Sequence, residues 1–405
     1  MNVEELVREA LREQAAAQPP AGAGLADRVL AVRRRRRTRR LASAAAATAA
    51  VVAVAVAVPL LDAGKRDVRP SGVVQRNGIT AHPDQSPPRQ LVAAGRTALA
   101  AYYTSRTVPL TDDSGIGVRT YRLLDPRTGT YVKDARWAFV AVAPGLRTAA
   151  VLEQTLPVRR IGLLDLATRK VARWIPVEHG VGGLAFSYDG TRLLATTYGA
   201  NPDTRGRVED VKGGLGWGPA ATPSSRTGFY DIDVASGKGT WTGVEAGKDS
   251  FARADFSYSR TGGQVYAQVV GDRDGMQRFY GLDGERIAAP ADERYLRSDV
   301  GARLSPNGRL AALGLTKEIA PGKSYSSIRD PRTGEEVTKV RGAELLAWAD
   351  DRRLIAWERV GGLDEPYRPR LVLVTIGRDG TVPLSGVREE DNGDFDTWQP
   401  VFARR

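Results

Sequence analysis

The chain contains no cysteine. That excludes a disulfide framework, a thiolate metal site and a cysteine nucleophile together. Histidine is almost as scarce: His82 and His179 are the only two, too few for a histidine-rich metal centre. A conventional serine triad would rest on His179 alone, in the stretch Glu178-His179-Gly180, which is expected to be a loop between blades. Gly-x-Ser-x-Gly, a Walker loop, a dinucleotide fingerprint and His-Glu-x-x-His are all missing. No cofactor is expected. Apart from a short tail, helical periodicity is also lacking, which turns the reading toward strands.

Lysine is rare beside arginine: of 59 basic residues, nine are lysine and fifty arginine. With abundant alanine and glycine, this usage resembles that of proteins from high-GC bacteria such as actinobacteria. The net charge of +12 does not point to nucleic acid. Residues 1–40 hold ten arginines against five acids, so +7 is left for the remaining 365 residues, a solvated surface.

Charge is absent altogether from Leu41 to Leu61. Its 21 residues would reach about 31 Å as a helix, the thickness of a bilayer's hydrocarbon core. Ten are alanine and five valine. Arg33, Arg34, Arg35, Arg36, Arg37, Arg39 and Arg40 stand directly before it, and the positive-inside rule keeps such a cluster cytoplasmic. The expected layout is a cytoplasmic tail over 1–40, a single transmembrane helix over 41–61, a Pro/Gly-rich linker over 62–92 and an extracytoplasmic domain over 93–405. The tail begins with an amphipathic helix carrying Val3, Leu6, Val7, Ala10 and Leu11 on one face. A cleaved, secreted form is the alternative, since Ala55-Val56-Ala57 has the small-residue spacing of a signal peptidase site. Either way the bulk of the chain lies outside.

From about Ala93 onward, short β-rich runs alternate with Gly, Asp and Pro turns. One unit recurs: Phe186-Ser187-Tyr188-Asp189-Gly190, Phe256-Ser257-Tyr258-Ser259 and Leu304-Ser305-Pro306-Asn307-Gly308, each leading to a strand, with weaker copies at Val142 and Trp348. These anchors are 44, 70, 48 and 44 residues apart. A second unit, strand–polar turn–strand, follows each first one, as at Asp125-Pro126-Arg127-Thr128-Gly129 and Asp330-Pro331-Arg332-Thr333-Gly334. Two hairpins per repeat make a four-stranded sheet, and such sheets set around an axis form a propeller. The fold class is therefore all-β, a β-propeller of six blades, with seven as the alternative. Phe395 to Phe402 is expected to supply the missing inner strand of the first blade and close the ring.

The Phe-Ser-x-Asp-Gly-x-x-Leu units resemble the WD40-like repeats of TolB-type propellers, over roughly residues 95–390. The strict WD40 dipeptides Gly-His and Trp-Asp are absent. Arginine-flanked anchor plus propeller also resembles actinobacterial membrane proteins encoded beside extracytoplasmic-function sigma factors, which implies envelope signalling through the tail.

The 70-residue interval contains an insertion, Gly199 to Gly228, longer than a hairpin loop needs. It joins the second and third strands of its blade and should overhang the channel mouth. Trp217, Arg205, Arg207, Glu209, Asp210 and Lys212, with Tyr198 beside them, give an aromatic anchor among charges, suited to a protein or peptide partner. Asp391, Asp394 and Asp396 are a weak candidate for a hard cation; a polar turn explains them as well. Two functions follow: a membrane-anchored binding module, or alternatively an exported propeller hydrolase acting on a carbohydrate or lactone, which would need free carboxylates in the channel.

Overall fold

The computed structural model describes residues 77–405 except 210–213, 221–222, 248–249, 270–274, 321–322, 362–367 and 389–396. The expected tail, transmembrane span and its arginines, and the linker up to 76 lie outside the described residues. Among the described residues, no helix is long and apolar enough to cross a membrane. Residues 77–92, expected as the end of a linker, instead pack into the sheets: Ile79–Thr80 pairs with Ala93–Ala94, and Leu91 and Val92 are core residues. Leu91, Val92, Ala93 and Ala94 form an apolar run whose burial outweighs the prolines before it.

Described pairings between named strands are all antiparallel. In the first sheet Gln399–Arg404 lies beside Thr97–Pro109, followed by Ser114–Asp125 and Thr130–Asp134. Next come Trp137–Val142, Thr148–Glu153 and Val158–Asp165. The long strand Lys170–Phe186 then serves two groups. Its beginning pairs with Val158–Asp165 and its end with Arg192–Tyr198, which continues to Arg226–Asp233 and Gly239–Gly243. Phe256–Tyr258, Gln264–Gln268, Gln277–Gly281 and Arg286–Ile287 make a further sheet. Ala311–Ala320, Lys323–Arg329 and Glu336–Arg341 follow, with Leu304 bridging to Ala311 in place of a full inner strand. The last sheet is Glu344–Trp348, Arg353–Val360, Arg368–Thr375 and Thr381–Val387.

Contacts between successive inner turns run full circle. Gly145 N donates to Arg404 O (2.8 Å), a side chain at Gly190 would strike Pro144, and Arg260 donates to Tyr188 Oη (3.2 Å) and Ser305 O (2.9 Å). Asn307 N donates to Asp351 Oδ1 (2.8 Å), and Arg96 N to Ala349 O (2.9 Å), returning to the first sheet. Sequential four-stranded meanders joined in this way are a β-propeller. The closing strand falls at Gln399–Arg404, inside and just past the expected segment, so the last residues complete the first sheet. Pairing first and last strands leaves no free inner edge there.

Local chemistry explains the repeats. In the inner turns Asp189 accepts from Ser187 Oγ (2.6 Å) and Thr191 N (3.0 Å), and Asn307 plays the same part for Ser305 Oγ (2.8 Å) and Arg309 N (3.0 Å). Gly190 and Gly308 then take φ of +77° and +73°, which a side chain would strain. The anchors before these turns, Phe186, Phe256, Leu304 and Trp348, are buried between sheets and supply the inter-sheet apolar contact that orders the repeat.

Candidate functional site

The insertion is a hairpin rather than a loop. Thr204–Glu209 pairs with Leu215–Pro219, and Thr204 to Gly206 pair in turn with Ser114 to Ile116 of the first sheet. Thr97–Pro109 and Ser114–Asp125 run well past the other strands of their sheet, and the insertion docks on the exposed edge of their extension. The result is a four-stranded projection, ordered Thr97–Pro109, Ser114–Asp125, Thr204–Glu209, Leu215–Pro219. Its two hairpins expose Leu110 at 63% and Leu215 at 71%, unusual for large apolar residues.

The base of this projection is pinned by buried charge. Asp203 accepts two hydrogen bonds from Arg119 (2.7 and 2.8 Å) and two from Arg253 (2.9 and 2.9 Å), all four groups of donors reaching its two oxygens. Arg253 also donates to Asp255 Oδ2 (2.7 Å) and Gly182 O (2.8 Å), and Arg119 to Ala138 O (3.0 Å). These residues come from the first, second, third and fourth groups of strands. In a ring, they meet only near the axis. Burial would raise the Asp203 carboxyl, but the Arg119 and Arg253 guanidiniums outweigh it and hold Asp203 well below the usual carboxylate range. Arg119 is raised in return: burial lowers it, and Asp203 more than compensates. Gly182 and Gly183 make room, since a Cβ on Gly183 would collide with the Asp255 carboxylate.

The residues expected at the mouth divide into two sets. Tyr198 is not a surface group: it is 3% exposed, its hydroxyl donates to Asp255 Oδ1 (2.7 Å) and accepts from Ala254 N (2.9 Å). Burial, then the Asp255 charge, push its phenol well up. Arg205 lies half-buried against Gly117, where a Cβ would come within 2.9 Å of its Nε, and burial lowers its pKa. Arg207 is exposed, stacks over Trp217 at 4.0 Å and donates to Asp112 O (3.0 Å), joining the two hairpins. Trp217 is 8% exposed, covered by that guanidinium, so it is the wall of the surface rather than a protruding anchor. Glu209 is exposed opposite Leu215. Asp210 and Lys212 lie outside the described residues, as do Asp391, Asp394 and Asp396. Among the described residues, no group of three or more His, Cys, Asp or Glu could hold a metal ion.

Sequence reasoning missed Arg119, Asp203, Arg253 and Asp255. One signal was available: Gly115, Gly117, Arg119 and Tyr121 occupy the buried face of their strand while Ile116 and Val118 face outward, an inverted alternation. Asp203 carries no local mark, because Arg119 and Arg253 lie 84 and 50 residues from it, and the Arg253–Asp255 pair two residues apart reads like any surface ion pair. Chemically, this cluster is a clasp. A carboxylate kept ionised with both oxygens engaged is poorly suited as a general acid or a nucleophile, so Asp203 does not supply what the hydrolase alternative requires.

A groove of about 650 Å³ lies between Trp137 and Trp174, lined also by Glu153, Arg169 and Lys170. Arg136 stacks on Trp137 (4.7 Å) and Arg160 on Trp174 (4.2 Å), each also paired to a carboxylate, Asp134 and Glu153.

No family model matches the chain, and no curated protein matches it. Among solved structures it is similar to hydrazine synthase of Kuenenia stuttgartiensis, at 13% identity over 63% of this chain and 68% of that one (TM-score 0.36). TolB of Acinetobacter baumannii matches at 15% over 71% and 67% (TM-score 0.35). The β-propeller domain of Myceliophteria thermophila Cps50 (Swd1) matches at 14% over 71% and 90% (TM-score 0.37).

Proposed function

We propose that the chain is a six-bladed propeller held outside the cytoplasmic membrane by Leu41 to Leu61, and that it works as a binding module for a protein or peptide partner. The blade count rests on the circuit of inner-turn contacts, which passes through six groups of strands before returning to Arg96, with Lys170–Phe186 shared by the second and third. The observation that carries the binding role is the braced projection, which holds Leu110 and Leu215 out in water on a fixed frame beside the Arg207–Trp217 pair. A rigid surface with exposed aliphatic groups and a stacked guanidinium loses little ordering entropy on association. The tail over 1–40 is the route by which binding would report inward, as in the envelope-signalling proteins that the anchor-plus-propeller layout resembles.

The test uses the full chain in membranes. Partner capture with the parent is compared with Leu110→Ser combined with Leu215→Ser, and with a tail-deleted chain. The double substitution should lower capture at least tenfold, while tail deletion leaves capture intact and removes the inward response. Equal capture by the double variant would refute the assignment of this face. Release of the protein by alkaline carbonate would refute the anchor.

A further inference from the structure

The opposite end of the ring, where the inner turns gather, holds arginine in a different setting. Arg404 is the last residue of the closing strand and is 5% exposed. Its guanidinium lies over the Tyr188 ring at 4.6 Å, and Arg260 lies over the same ring at 4.2 Å. Arg260 donates to the carbonyls of Ser305 and Pro306 and to the Tyr188 hydroxyl.

Among the described residues, none of the carboxylates at this end pairs with these charges. Asp189 is taken by Ser187 and Thr191, Glu293 by Arg303 Nη2 (2.7 Å) and the Arg260 backbone N–H (2.7 Å), and Asp351 by Asn307 N. Among the described residues, no ion pair joins Arg404 to any carboxylate, and its charged neighbours are the further cations Arg260 and Arg96. Burial lowers Arg404 to about 10; the Tyr188 phenol opposes the shift and Arg260 and Arg96 add to it.

A buried guanidinium without a counterion is unfavourable, and its planar fork of donors matches an oxyanion in geometry. We propose that Arg404, Arg260 and Tyr188 form a binding site for one oxyanion, a carboxylate or phosphate group of a ligand entering the axis from the inner-turn end. Arg404 supplies the fork, Arg260 the second charge, and Tyr188 the plane that keeps both guanidiniums oriented. The site is separate from the projection, which stands at the other end of the ring.

Thermal unfolding of the full-length chain, at constant ionic strength set with chloride, provides the test. Saturating inorganic phosphate or acetate should raise the melting temperature by about 2–4 °C, and the anion with the larger effect identifies the group. Arg404→Gln should abolish that rise while melting no lower than the parent in chloride alone. Arg404→Lys keeps the charge without the fork, and calorimetry should show at least fivefold weaker anion binding. The proposal is overturned if the parent responds to neither anion beyond chloride, or if Arg404→Gln keeps the full response. Unchanged affinity in Arg404→Lys overturns the role given to the fork, and this arm stands even if the Gln variant does not fold.

Discussion

The two ends of the ring use arginine in opposite ways. At the insertion end, Arg119 and Arg253 close on Asp203 from two sides, and Asp255 completes the set, so charge is consumed in holding the hairpin to the ring. At the inner-turn end, Arg404 and Arg260 stack on one tyrosine, and among the described residues no ion pair joins either to a carboxylate. The residue type is the same and the degree of burial is similar for Arg119 and Arg404. What differs is the counterion. A paired buried arginine fixes structure, whereas an unpaired one retains binding capacity for an anion.

Breaking the clasp should have the largest effect. Asp203→Ala strands two buried guanidiniums and should cost about 4 kcal/mol in denaturant unfolding, the scale for orphaning a buried charge. A loss below about 1 kcal/mol would mean that water replaces the carboxylate and that the two ends are not so different.

Acid titration sharpens the same point. Because Asp203 is held below its ordinary value, its contribution is complete above about pH 4, where the unfolded carboxyl ionises, and is lost as pH falls below that. The parent should lose on the order of 2 kcal/mol more than Asp203→Asn between pH 5 and 2. Parallel curves would show that the clasp does not titrate.

A smaller effect is expected on the projection. Trp217→Ala should weaken partner capture by about 2 kcal/mol, measured as a shift in half-saturation. Its removal also frees Arg207 from its stacking plane. Unaltered capture would confine recognition to Leu110 and Leu215 or move it off this face.

The smallest effect belongs to the outer turns. Arg127 pairs with Asp125 while half-exposed, and Arg332 lies in the matching turn. Arg127→Ala together with Arg332→Ala should leave the melting temperature and capture unchanged, since solvent screens such pairs. A clear drop in melting would show that arginine stabilises this chain regardless of burial.

The sequence was most readable where structure is local. The turns at Asp189, Asn307 and Asp330 bind their own backbone within a few residues, so side chain, glycine and strand appear together as a visible repeat. Phe186, Phe256, Leu304 and Trp348 announced the core for the same reason. Tyr198 and Trp217 read from the sequence as an aromatic anchor among charges, but their burial is not legible there, because it depends on what the chain elsewhere brings to them. The length of the insertion was legible, yet its pairing with Ser114–Asp125 was not. That pairing depends on a free strand edge about 90 residues earlier in the chain.

The sequence alone therefore determined the strands, their turns and their succession, since period-two burial and Asp/Gly turn chemistry act over a few residues. It also fixed the uncharged run from Leu41 and the arginines before it. Only the tertiary structure decided which arginines meet a carboxylate. Arg119 and Asp203 are 84 residues apart, Asp203 and Arg253 another 50, and closing the ring brings them together. The same closure places Arg404 beside Tyr188 and Arg260 and, among the described residues, away from any carboxylate partner, because electrostatic pairing follows distance in space and not separation along the chain.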